Sequence, residues 1–205
     1  MNQDDLIKKL IQSDTLKSRK LLKVFRKIDR ADFVTPESLE FAYQDSALAL
    51  FNGQTISQPT TVAFMLEKLE MREGLKVLEI GFGSGWQTAI ISGVIGRSGR
   101  IDALEINKEI FDFGFCDLKK YNFKNINLYN ESVIKYLNHN QEKYDRIISG
   151  AAFLENHLDL IKKSLKIGGI SVIPTQDNFI KKIIRKEDGY IEEDYYGFVF
   201  VPLRV

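Results

Sequence analysis

Val77-Leu78-Glu79-Ile80-Gly81-Phe82-Gly83-Ser84-Gly85-Trp86 decides the fold. A short apolar strand runs into glycines at 81, 83 and 85, and a stretch of helical length follows. Glycines let the backbone turn sharply and let a ligand approach closely, while the start of the next helix presents free N–H groups. The same rhythm continues outward. Apolar, β-rich runs at Ile101–Leu104, Ile126–Tyr129, Tyr144–Ile148 and Gly169–Pro174 alternate with helical stretches near 85–96, 107–121, 131–140 and 153–166. This alternation predicts an α/β fold, a mostly parallel twisted sheet with helices on both faces. Phe179–Arg185 and Tyr195–Leu203, joined through Glu187-Asp188-Gly189, predict closing antiparallel strands, the last an inner one.

The glycine spacing is G-x-G-x-G, since position 86 is Trp, and it departs from the dinucleotide-binding pattern. Glu79 also precedes the first glycine by two residues, where it would repel a pyrophosphate and attract a cationic amine. Glu105 ends the second strand, 20 residues beyond Gly85, and suits hydrogen bonding to both ribose hydroxyls. An amino acid joined to a nucleoside fits these groups, and S-adenosylmethionine is the candidate. Glu131, in Asn130-Glu131-Ser132 after the third strand, has two open readings. It accepts from the adenine amine, or it is an acid favoured by the helix dipole at a helix start.

Length and composition bound the rest. With 205 residues, 44% hydrophobic and 28% charged, the chain reads as one domain with a real core. Its 29 basic and 28 acidic residues balance to +1, which gives no general attraction to nucleic acid or an anionic membrane. One cysteine makes no internal disulfide, and the lack of His/Asp spacing of ligand type argues against a metal. Met1–Asp14 shows no apolar signal core, so the expectation is a soluble, cytoplasmic monomer. Residues 4–28 read as one or two amphipathic helices, with Leu6, Leu10, Ile11, Leu16, Leu21, Leu22, Val24, Phe25 and Ile28 at helical steps. The basic residues between them read as a solvated face. Cys116 and the phenylalanines at 111, 113, 115, 123 and 153 read as packing residues, the thiol buried or half-buried.

Upstream lies Phe51-Asn52-Gly53-Gln54-Thr55-Ile56-Ser57-Gln58-Pro59-Thr60-Thr61. Together with Val77–Gly85 it resembles the protein-L-isoaspartate O-methyltransferase family, which carries G-Q-T-I-S-Q-P ahead of an E-I-G-x-G-S-G turn. Arg30 with Phe33-Val34, Ala42-Tyr43-x-Asp45, Tyr144-Asp145, Ala151-Ala152, Ile173-Pro174 and Phe200-Val201-Pro202-Leu203 extend the likeness from about residue 25 to the end. The resemblance implies a Rossmann-like class I methyltransferase with an N-terminal helical extension. It divides the chain into 1–60, a helical cap and acceptor-side segment, and 61–205, a cofactor-binding core. The activity implied is transfer of a methyl group from S-adenosylmethionine to the α-carboxyl of L-isoaspartyl residues in damaged proteins. The ester then closes to a succinimide that reopens to aspartate.

By the same resemblance Ser57 orients the acceptor carboxylate and is the catalytic residue. Thr55 and Gln58 flank the site, Glu79 and Gly81 face the methionine end of the cofactor, Glu105 takes its ribose, and Ser57, Gly83, Gly85, Ile106, Glu131 and Ser132 also bind the cofactor. Neither His139 nor His157 has a triad context, so Ser57 is not a nucleophile. Several acceptor-side positions depart from the family pattern. Ala47-Leu48-Ala49-Leu50-Phe51 replaces a Pro-Leu-Pro-Ile-Gly run, which implies a looser loop, and Gly150 replaces a threonine. Two further readings therefore stay open, a methyltransferase with another carboxylate acceptor and a non-catalytic cofactor-binding module.

Overall fold

The computed structural model describes residues 1–204; Val205, the end of the expected 61–205 core, lies outside the described residues. A short hairpin, β1 (Leu48–Ala49) and β2 (Thr55–Ile56), precedes the main sheet. That sheet has seven strands: β3 (Lys76–Ile80), β4 (Arg100–Leu104), β5 (Ile126–Tyr129), β6 (Tyr144–Ser149), β7 (Leu165–Pro174), β8 (Phe179–Lys186) and β9 (Gly189–Tyr196). Their spatial order is β5-β4-β3-β6-β7-β8-β9, with the first five parallel and the last two antiparallel. The helices are α1 (Gln3–Gln12), α2 (Arg19–Phe25), α3 (Pro59–Lys68), α4 (Trp86–Ile95), α5 (Lys108–Lys119), α6 (Val133–His139) and α7 (Leu158–Ser164).

Alternation along the strands builds two cores. Val77, Ile101, Ala103, Ile148 and Val172 face one, beneath α1 to α4, while Leu78, Ile80, Leu104, Ile147 and Ile173 face the other, beneath α6 and α7. The N-terminal helices belong to the first core, with Leu6, Leu10, Leu16, Leu21, Val24, Phe25 and Ile28 buried. Ile11 is exposed, and Leu22 is only partly buried. Asn2 and Asp5 form a capping box at α1, and Ser18 caps α2. Among the described residues no helix is long and apolar enough to cross a membrane.

Three expectations need correction. The closing strand is Gly189–Tyr196, not Tyr195–Leu203, and it is the sheet's edge rather than an inner strand. The two-residue turn Glu187-Asp188 pairs Lys186 with Gly189 at once, and Glu192, Glu193 and Asp194 suit an exposed edge. Residues 198–204 instead run across the carboxyl ends of the strands, where Ala152 N–H donates to Val201 O and Leu203 N–H to Ala152 O, each at 2.8 Å. Cys116 is exposed, because it lies on the outer side of α5. The run 47–51 is not loose. Leu48 pairs with Ile56 and Ala49 with Thr55, and Leu50 N–H donates to Gln54 O at 2.8 Å. The hairpin tip is pinned on α5 through Phe51 against Phe113 (5.3 Å) and Asn52 Nδ2 donating to Glu109 (2.7 Å).

Candidate active site

The β3–α4 turn is the floor of the site. Gly81, Gly83 and Gly85 all have positive φ, and the N–H groups of Gly81 and Phe82 both donate to Leu104 O, at 2.8 and 3.0 Å. That pairing ties the turn to the end of β4. Helix α5 packs directly on it at Gly114, where a Cβ would overlap Gly83 O and the Phe82 ring. Across the sheet Gly150 serves the same purpose at the end of β6, where a Cβ would stand 2.5 Å from Gly81 O. Its lack of a side chain is thus a condition of the turn's position.

Three connected spaces open above the floor. A cleft of about 620 Å³ is walled by Ile80, Leu104, Ile106, Ile110, Val133 and Leu203, with Glu105, Glu131 and Ser132 as polar groups. A smaller one of about 380 Å³ holds Glu79, Trp86 and Gln87. A wide groove of about 1190 Å³ runs along Gln58, Thr60, Thr61 and Phe198–Val201. Thr55 and Gly150 line all three, and Ser57 lines both the small cleft and the groove.

Most of the expected residues converge there. Thr55, Gly81, Gly83, Glu105, Ile106, Glu131 and Ser132 line the large cleft, and Thr55, Ser57, Glu79, Gly81 and Gly83 the small one. Two do not. Gly85 lines neither; a Cβ there would strike Leu118 at 2.8 Å, so this glycine serves helix packing. Gln58 lies in the groove, and its Nε2 donates to Asp45 O at 3.1 Å. Ser57 does not cap α3, whose N-cap is Gln58, and among the described residues no protein group bonds its hydroxyl. Ser132 does cap α6, accepting from Lys135 N–H at 3.2 Å.

The two buried carboxylates differ in how they are held. Glu105 is 8% exposed; its Oε1 accepts from Asn107 N–H (2.9 Å) and its Oε2 from Gly83 N–H (3.2 Å). Burial pushes its pKa up, opposed by those two N–H groups. A carboxylate has about four acceptor positions, so each oxygen retains one for a ligand hydroxyl. Glu79 is fully buried; Gln87 Nε2 donates to its Oε1 at 2.8 Å, and its Oε2 has no partner. An orphaned carboxylate oxygen beside a cleft is a place for a cationic amine.

Burial raises the pKa of Glu79 from 4.5 to about 7, against the Thr88 and Gln87 side chains, which lower it. The native value lies above the unfolded one, so this group's contribution to stability is full below 4.5 and is lost as pH rises through about 7. The unbound protein should therefore lose melting temperature across that window, and Glu79→Gln should flatten the loss. Thermal melts from acid to neutral pH check this; an identical slope in the variant contradicts it.

Several site residues escaped the sequence reading. Gln54 and the tail Val201-Pro202-Leu203-Arg204 line the large cleft. Pro202 was the available signal, since proline has no N–H for an inner strand. Asn130 Nδ2 donates to Glu105 O (2.7 Å) and Ile106 O (3.3 Å), lacing together the loops after β4 and β5. His139 Nε2 stands 3.7 Å from Glu131.

A family model described as protein-L-isoaspartate(D-aspartate) O-methyltransferase matches residues 1–204. The protein-L-isoaspartate O-methyltransferase of Ignicoccus hospitalis is 34% identical, covering 97% of this chain and 95% of that protein. Its namesake from Flavobacterium psychrophilum is 38% identical, covering 95% and 90%. The crystal structure of a Plasmodium falciparum protein-L-isoaspartate O-methyltransferase in complex with S-adenosyl-L-homocysteine shares the fold. It superposes with a TM-score of 0.86 at 20% identity, covering 100% of this chain and 99% of that one. A family match along nearly its whole length, joined to relatives 34% and 38% identical, means that this chain belongs to the protein-L-isoaspartate O-methyltransferase family.

Proposed function

We propose that the chain transfers a methyl group from S-adenosylmethionine to the α-carboxyl of L-isoaspartyl residues in proteins, as its family membership supports. The observation that carries this reading is the meeting of two clefts and an open groove at Thr55 and Gly150, with Ser57 where the small cleft joins the groove. A cofactor enclosed in the clefts thereby borders an acceptor lying in a groove wide enough for a peptide.

The residues present suit the cofactor. Glu79, with its unpartnered Oε2, takes the ammonium of the methionine end, and the free acceptor positions of Glu105 take the ribose hydroxyls. Glu131 takes the adenine amine between the apolar walls Ile106, Ile110 and Val133. When bound, S-adenosylmethionine supplies an activated methyl group on a sulfonium. The protein's task is then positioning and water exclusion, because an acceptor carboxylate is already a nucleophile at neutral pH. The Ser57 hydroxyl donates to that carboxylate and holds one oxygen toward the cofactor. The hairpin residues Gln54 and Thr55 and the tail at Val201–Arg204 cover the large cleft. In this reading residues 1–60 form the cap and acceptor side of a single domain whose core, from 61 onward, holds the cofactor, and the working species is a monomer.

A matched peptide pair, one isoaspartyl and one aspartyl, offered with labelled S-adenosylmethionine tests the substrate. Selective labelling of the isoaspartyl peptide is expected. Labelling of neither, with S-adenosylhomocysteine still bound, would shift the reading to another carboxylate acceptor.

A further inference from the structure

Arg30 is one of the largest fully buried side chains, 1% exposed; among the described residues no carboxylate pairs with it, and its Nε has no partner. Its guanidinium is used on backbone carbonyls instead. Nη1 donates to Ala42 O (2.7 Å) and Gln44 O (3.2 Å), and Nη2 to Ser46 O (2.9 Å) and Ser57 O (3.1 Å). The same group lies over the indole of Trp86, 5.3 Å from the ring centroid. Three of those carbonyls belong to a segment without helix or strand between Phe41 and Leu48, and the fourth to the residue that faces the acceptor groove. Trp86 is the first residue of α4, directly after the glycine turn.

Asp45 closes the arrangement from the solvent side. Its Oδ1 accepts from Thr60 N–H (2.9 Å), its Oδ2 from Thr60 Oγ1–H (2.6 Å), and its carbonyl from Gln58 Nε2–H (3.1 Å). Segment 42–46 is thus tied to 57–60 from the inside by Arg30 and from the outside by Asp45. Burial lowers the Arg30 pKa to about 10, with Asp45 opposing, so the group stays charged at neutral pH. A buried charge with no direct ion pair is a costly way to fill a core; what it provides is a planar fork that fixes several acceptors at once.

We propose that Arg30 is a positioning residue for methyl transfer, a clamp that sets Ser57 on the acceptor side at a fixed height above the glycine turn on the cofactor side. The proposal rests on the role given to Ser57 above. Lysine, with a compact ammonium in place of a fork, does not reproduce the arrangement.

The test compares Arg30→Lys, Asp45→Ala and Asp45→Asn with the wild type. Turnover is counted per site that binds S-adenosylhomocysteine, so unfolded protein does not enter the rate. Arg30→Lys should lower kcat by roughly ten- to a hundredfold, with cofactor affinity and peptide KM little changed, as displacement of a positioned group does. Asp45→Ala should move the same way by a smaller factor. Asp45→Asn should restore the rate, because its amide still accepts from Thr60 N–H and donates to Thr60 Oγ1. Trp86 is the chain's one tryptophan, so its fluorescence gives a second readout independent of substrate. Acrylamide quenching should rise in Arg30→Lys and in Asp45→Ala and return in Asp45→Asn. Wild-type kcat in folded Arg30→Lys, with only a lower melting temperature, would overturn the proposal. If Arg30→Lys does not fold, wild-type kcat and quenching in Asp45→Ala would overturn it equally. A wild type that labels no isoaspartyl peptide would sink the substrate reading, and the quenching series would still decide the clamp.

Discussion

Glu105→Ala should raise the dissociation constant for S-adenosylhomocysteine about a hundredfold. The side chain is nearly buried, and its two oxygens already hold Gly83 N–H and Asn107 N–H, which fixes the carboxylate at the end of β4. Hydrogen bonds to a charged group contribute about 1.5–3 kcal/mol each, so losing two of them costs about 3 kcal/mol or more, two decades of affinity. Alanine also leaves Gly83 N–H without its acceptor, and Gly83 belongs to the turn that floors the cleft. Both effects act on binding rather than on the transfer step. Calorimetry with S-adenosylhomocysteine measures this directly, and Glu105→Gln, which keeps an acceptor oxygen, should fall between alanine and wild type. Unchanged affinity in Glu105→Ala would remove Glu105 from the cofactor site.

Ser57→Ala should act in the opposite sense, lowering kcat about a hundredfold while cofactor affinity stays close to wild type. Misplacing a reacting group by about 1 Å, or removing one preorganised donor, costs a factor of this size. Ser57 is held through its backbone, its carbonyl accepting from Arg30 Nη2 at 3.1 Å, while its hydroxyl has no protein partner among the described residues. The substitution therefore removes the donor to the acceptor carboxylate without releasing the segment. Single-turnover rates at saturating cofactor and isoaspartyl peptide give the effect on transfer, and calorimetry gives binding. Should affinity for S-adenosylhomocysteine fall as far as the rate, Ser57 would be a cofactor ligand instead.

The parts of this site that were legible in the sequence are those set by local chemistry. Glu79 and Glu105 each stand at a fixed offset from a strand end, so recognising the strand placed the carboxylate. Ile126–Tyr129 was read with its observed limits because its apolar run ends in Asn130. The Gln-Thr-Ile-Ser-Gln-Pro segment was read from a specific motif. Gly85 misled because a glycine can serve a close approach as well as a ligand, and only the position of Leu118 shows which applies.

Strand rhythm, turn glycines and acids at strand ends determined the parallel α/β architecture and the two buried carboxylates that line the clefts, because each depends on residues adjacent in the chain. Tertiary structure alone decided the rest. It put β9 at the sheet edge and made residues 201–204 a wall of the cleft. It made Gly114 and Gly150 conditions of the glycine turn, and it brought Arg30 against Ser57 across 27 residues of sequence. These features depend on which surfaces meet when the two cores close, and that contact is not written in any local pattern.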